Sequence, residues 1–120
     1  MLVKNIILVG LGGMIGSVMR YLASYFIRDG SFPYATFTVN ILGSFLIGVI
    51  LGVASKQDGF GNWRLFLATG ICGGFTTFSA FAWENLQLLN QQRYAVFVIY
   101  TAASLVLGMA AVTVGYWLTK

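Results

Sequence analysis

The sequence predicts an all-α membrane protein with four transmembrane helices, the third broken mid-membrane, and three observations carry that expectation. Of its 120 residues, 58% are hydrophobic and only 8% are charged, with a mean hydropathy of +0.84. Roughly a quarter of the residues in a soluble domain are charged, so this composition cannot cover a water-facing surface. One helical crossing of the hydrocarbon core takes about 20 mostly apolar residues, and with short loops the chain has length for four. The third observation is the run Thr69-Gly70-Ile71-Cys72-Gly73-Gly74-Phe75-Thr76-Thr77-Phe78-Ser79-Ala80-Phe81, which departs from an ordinary lipid-facing helix. Residues 1–120 are read as a single four-helix transmembrane domain.

The first span covers about Asn5 to Ile27. It follows Lys4 as a secretory leader would, but its apolar stretch is too long for one and lacks a small-residue cleavage site, so it is read as retained. The loop Arg28-Asp29-Gly30-Ser31-Phe32-Pro33 ends it. A second span, about Tyr34 to Ala54, runs into Ser55-Lys56-Gln57-Asp58-Gly59-Phe60-Gly61-Asn62, the most polar and glycine-rich segment of the chain. The third covers about Trp63 to Leu89. After the tight loop Asn90-Gln91-Gln92-Arg93 comes the fourth, about Tyr94 to Leu118, closed by Lys120. Tyr34, Trp63, Tyr94, Tyr116 and Trp117 fall near span ends, where amphipathic rings favour the headgroup region.

Four spans put both termini on one side. Lys4, Lys56, Arg64 and Lys120 then face Arg28 and Arg93, joined by Arg20 if its helix end is counted. Orientation needs a clear Lys/Arg asymmetry, and this one is weak. Two readings follow: insertion both ways up, or a span boundary shifted by a few residues. The seven basic residues are dispersed singly, so the net charge of +4 does not point to nucleic acid. With no His, a single Cys72 and only Asp29, Asp58 and Glu84 as acids, clustered metal ligands, an intrachain disulfide and most familiar catalysis are excluded. The chain is not expected to be an enzyme.

Gly12 with Gly16, Gly48 with Gly52, and Gly70 with Gly74 each lie four residues apart and share a helix face. Small residues let helices approach closely in lipid, either within a subunit or between two. Adjacent glycines before two β-branched hydroxyl residues disfavour helix at Gly73–Thr77, and freed carbonyls at membrane depth need protein, water or an ion. The other reading is a continuous helix whose hydroxyls bond back to their own backbone. Thr36, Asn40 and Ser44 form one polar column, and Tyr100, Ser104 and Gly108 another. Asn40 is either interhelical glue or a lining residue, and periodicity favours glue. Arg20 and Glu84 are the ionisable groups inside spans. Arg20 is near enough to its helix end to anchor at the interface, and Glu84 is a partner for it if their levels match.

Four segments together, Gly12-Gly13-Met14-Ile15-Gly16 leading to Arg20-Tyr21, Thr36 to Gly43, Gly73 to Phe81 with Glu84, and Tyr100 with Ser104, resemble the small bacterial fluoride channels of the CrcB or Fluc family. They occur in family order over essentially the whole chain, and the third is highly specific. The resemblance implies an antiparallel, dual-topology homodimer in the bacterial inner membrane, with two ion pathways and passive fluoride efflux that confers fluoride resistance. It implies a structural sodium ion at the dimer centre, on the backbone carbonyls of Gly73 and Thr76. It also sets Phe78 and Phe81 beside the fluoride path, Asn40 as a lining donor, and Thr77, Ser79, Tyr100 and Ser104 along a polar track. Two departures stand out: Ala80 replaces a common Thr, and Gly108 occupies a position where relatives can carry Ser.

These residue types suit a small, strongly hydrated anion, which must exchange water for donors as it moves. Hydroxyl and amide groups donate, and aromatic rings are electropositive at their edges. For an isolated Phe pair, packing would be the better reading; the motif raises these two above it. A small multidrug exporter has similar length but needs a membrane-embedded carboxylate in its first span, which here holds Arg20 and no acid. A non-transporting helical adaptor is the other rival, and it predicts no ion flux.

Overall fold

The computed structural model describes all 120 residues and is helical throughout, with no strand. Helix α1 covers Leu2–Phe26 and α2 covers Tyr34–Ala54. The third span is composite: α3 (Gly61–Arg64), a π-helical stretch (Leu65–Cys72), α4 (Gly73–Phe75) and α5 (Phe78–Asn90). Helix α6 covers Tyr94–Thr119. Four segments are long and apolar enough to cross a membrane, Leu2–Phe26, Tyr34–Ala54, Gly61–Asn90 and Tyr94–Thr119. The first starts earlier than hydropathy indicated, so Lys4 lies within its first turn. Wide winding over Leu65–Cys72 has no counterpart in the expectation; at its end the Gly73 N–H reaches back five residues to the Ala68 carbonyl.

Two helix pairs make the core. Helix α1 packs along the π-helical stretch and α4, and α2 packs along α6. Both contacts are backbone against backbone. A Cβ at Gly12 would strike the Phe66 carbonyl oxygen and lie 2.8 Å from Gly70 Cα; one at Gly16 would strike the Ile71 carbonyl oxygen. On the other pair, Gly48 faces the Val112 carbonyl, and Gly115 faces the Phe45 carbonyl. All three glycine pairs named from spacing are thus used inside the subunit. Gly115, which stands outside any such pair, does the same work.

Only 17 of the 120 residues are buried, and large apolar side chains such as Ile6, Met14, Val18, Leu105 and Met109 face outward. An apolar periphery of that extent needs lipid around it. The chain is a multi-pass membrane protein.

Gly48→Ala is expected to destabilise the subunit by about 1–3 kcal/mol, the usual range for overpacking, because the added methyl meets backbone that cannot rotate away. Gly108→Ala is the control. Its Cβ would find only Ser44 Oγ at 3.8 Å and Ile41 Cδ1 at 4.0 Å. There, replacing helical glycine should be neutral or stabilising by up to about 1 kcal/mol. Unfolding in mixed micelles would compare the two, and equal stabilities would remove backbone contact as the reason for Gly48.

Candidate functional site

Helical winding stops at Phe75 and resumes at Phe78. Thr76 (φ −85°, ψ 156°) and Thr77 (φ −150°, ψ 121°) between them are extended. Asn40, from the polar column of α2, meets this segment with both ends of its amide. Its Oδ1 accepts the Thr77 N–H at 2.8 Å, and its Nδ2 donates to the Thr77 carbonyl at 3.0 Å. The Thr77 hydroxyl caps α5 by accepting the Ala80 N–H at 3.1 Å. Arg20 reaches across from α1 and donates through Nε to the Gly74 carbonyl at 3.0 Å.

In an unbroken helix the Gly73 carbonyl would accept the Thr77 N–H, and the Thr76 carbonyl would accept the Ala80 N–H. Both donors go elsewhere, to Asn40 Oδ1 and Thr77 Oγ1. Gly73 and Thr76 therefore carry carbonyls without their helical partners. The Thr76 hydroxyl does bond back to the Cys72 carbonyl, at 2.9 Å, so back-bonding and the extended segment coexist one residue apart.

A cavity of about 390 Å³ adjoins the segment, and its lining includes Asn40, Gly73, Thr76, Thr77, Phe78, Phe81 and Ser104. No charged side chain lines it. Ser104 Oγ is buried without a hydrogen-bond partner. Phe78 is 78% exposed on the isolated subunit. Behind it Phe81 bridges two rings, with centroids 5.9 Å from Phe78 and 5.0 Å from Tyr100.

Tyr100 has 0% exposure. Its hydroxyl donates to Glu84 Oε1 at 2.8 Å, while Thr36 Oγ1 donates to Glu84 Oε2 at 2.8 Å. Each carboxylate oxygen thus accepts a hydroxyl, one from α6 and one from α2, which ties α5 to both.

Seven of the residues singled out from sequence therefore share one cavity, and Tyr100 lies next along the rings. Ser79 does not line that cavity; it is exposed, with its Oγ 3.2 Å from Thr77 Oγ1. Pairing of Arg20 with Glu84 is corrected. The interrupted winding leaves the Gly74 carbonyl for Arg20 to take, and two hydroxyls serve Glu84. Arg20 is accordingly an interhelical tie within the bundle rather than an interfacial anchor alone. Asn40 is glue, as periodicity favoured, and also lines the cavity. Thr36 stands in the polar column of α2, one turn before Asn40, but spacing alone does not connect it to Glu84.

Comparison with known proteins matches residues 7–116 to the family model described as CrcB-like protein, Camphor Resistance (CrcB). A protein of Phocaeicola vulgatus named fluoride-specific ion channel FluC is 47% identical, the match covering 98% of this chain and 99% of the relative. A protein of the same name from Azobacteroides pseudotrichonymphae is 45% identical, with 99% and 98% covered. Another from Leptospira interrogans is 41% identical, with 98% and 95% covered. Matched along nearly its whole length by the family model and by relatives of its own size, the chain belongs to the CrcB family.

Proposed function

We propose that this chain is a fluoride-selective ion channel that gives passive efflux of fluoride from the bacterial cytoplasm across the inner membrane. The observation that carries this reading is the cavity at Thr76–Thr77, walled by neutral donors and phenylalanine rings and free of charged side chains. Conduction requires binding favourable enough to admit an ion and weak enough to release it. Hydroxyl, amide and ring-edge groups meet that condition better than a buried lysine. Asn40 Nδ2 has a second N–H beyond the one given to Thr77, and Ser104 Oγ has no partner within the protein, so both have donors to offer an anion. Names of relatives up to 47% identical support fluoride as the ion. Weakly acidic HF enters acid-stressed cells, ionises in the more alkaline cytoplasm and is trapped; a channel lets the anion leave down its electrochemical gradient, without ATP or proton coupling.

The working assembly in this reading is an antiparallel homodimer with dual topology and two pathways. The third helix is broken at membrane depth, and the second copy covers the exposed Phe78 and walls the cavity. A weak basic asymmetry between the two sides of the bundle accords with insertion both ways up. Thr77 and Tyr100 belong to the same path, with Thr77 shaping the segment and Tyr100 continuing the line of rings. Ser79, beside the Thr77 hydroxyl, joins the track at its exposed side. Arg20 and Glu84 hold the helices around it.

A sodium ion at the dimer centre fits the donor set. Hard cations favour oxygen ligands, and unwound carbonyls are the usual membrane-depth donors for Na⁺. Gly73 and Thr76 would supply two such carbonyls per subunit, both lacking their helical partners. Replacing sodium by N-methylglucamine throughout is expected to dissociate the dimer or stop flux, read by size-exclusion chromatography and fluoride release. Indifference in both would count against a bound ion.

The channel itself is tested with purified protein in liposomes. Fluoride-loaded vesicles should empty when an ionophore balances charge, and chloride-loaded vesicles should retain their contents. Retention of fluoride under those conditions would overturn the assignment and leave the helical adaptor.

A further inference from the structure

The α1–α2 connection, residues 28–33, crosses the end of the bundle where α5 turns into α6. Three contacts fix it, one to the first turn of α2 and two, to Arg93 and Tyr100, at that end. Asp29 Oδ1 accepts the Ala35 N–H at 3.0 Å, the Arg93 guanidinium donates to the Ser31 carbonyl, and the Phe32 ring packs edge to face on Tyr100 with centroids 5.3 Å apart. Tyr100 in turn meets Phe81, which meets Phe78. Four rings therefore run without a gap from the cavity at Thr76–Thr77 to Phe32 at this end, where Phe32 also packs on Tyr34 and Phe37 with centroids 5.0 and 5.4 Å away.

Beside Phe32 lies a separate, polar cavity of about 200 Å³, whose lining includes Asp29, Glu84, Gln87, Gln91 and Arg93. Two carboxylates at the approach to an anion path would repel its cargo. Arg93 is the single cation lining this cavity; Arg28 and Arg20 line two neighbouring cavities that Glu84 also borders. We propose that this cavity is the outer mouth of the anion path, with Arg93 offsetting the field of Asp29 and Glu84 and Phe32 closing the way inward to Tyr100. The inference rests on the reading that the Phe78–Phe81 cavity carries fluoride. It adds an entry residue and a seal on segments that hydropathy treats as loop.

A cation at a low-dielectric mouth raises local anion concentration, and rates with it, by tenfold or more, and salt removes the effect. In fluoride-loaded liposomes, Arg93→Gln is expected to slow release about tenfold where the Debye length is about 30 Å, at about 0.01 M ionic strength. At about 1 M, where the Debye length is about 3 Å, the difference should shrink to less than about twofold. Arg93→Lys should stay close to wild type in both. Damage to the α1–α2 connection would slow release equally at both ionic strengths and would overturn the proposal, as would wild-type release at low salt. Phe32→Cys gives an independent reading, with native Cys72 buried and the unsubstituted protein as reagent control. A negatively charged thiosulfonate on Cys at position 32 should cut fluoride release several-fold more than a positively charged one of similar size. Equal effects, or none, would overturn Phe32 as the seal. Absence of fluoride release from the wild type would instead sink the channel reading, so the two failures are distinguishable.

Discussion

Asn40→Leu is expected to abolish fluoride flux and to weaken the fold by about 1–3 kcal/mol, since the Thr77 N–H is left without a partner. Thr77 is extended and caps α5, so its N–H has no place in a helical ladder while its carbonyl stands at the head of α5, and Asn40 bonds both. In lipid there is no water to replace it. Leucine keeps the bulk and removes both hydrogen bonds. Asn40→Asp separates folding from conduction, because a carboxylate still accepts the Thr77 N–H but offers nothing to the Thr77 carbonyl and adds a negative charge to the anion path. The leucine variant should be the less stable in micellar unfolding, and the aspartate variant should lose flux while it still assembles. Unchanged stability in Asn40→Leu would mean that Thr77 finds other partners and that Asn40 is not what shapes the segment.

Hydropathy made the four spans legible because lipid imposes one strong condition, about 20 apolar residues in succession, and loops violate it visibly. Periodicity was equally direct about faces: Thr36, Asn40 and Ser44 recur every four residues and line up on α2. What a face meets is a different kind of information. Spacing grouped Gly12 with Gly16 and Gly48 with Gly52, yet could not say whether the close partner was the same chain or another copy. That depends on which helices pair, and the pairs turned out to be α1 with the third span and α2 with α6. Opposite charge suggested Arg20 with Glu84, but the stronger demand came from backbone: a carbonyl at Gly74 that helix could not satisfy. The π-helical winding over Leu65–Cys72 has no residue signature, since apolar and small residues suit α and π winding alike. Phe32 reads as loop because its contact arises from a fold-back onto Tyr100, 68 residues on.

Phe78→Ile and Phe81→Ile are each expected to reduce fluoride flux by at least about tenfold while leaving assembly intact. Isoleucine fills much of the ring's space and keeps its hydrophobicity, so the loss isolates the electropositive ring edge. Geometry-specific aromatic interactions run to about 1.5 kcal/mol beyond buried area, and about 1.4 kcal/mol on a barrier is tenfold in rate. The two positions should differ in a second measurement. Phe81 lies between Phe78 and Tyr100 and packs inside the subunit, so its replacement should also lower unfolding stability. Phe78 is 78% exposed on the single subunit, so replacing it should leave subunit stability nearly unchanged and act on flux alone. A variant that keeps wild-type release at position 78 would return that ring to packing against lipid or the partner. Wild-type release at both positions would leave the hydroxyl and amide donors to strip fluoride of its water unaided, and chloride, which the same donors would then meet without a ring edge to discriminate, should begin to leak.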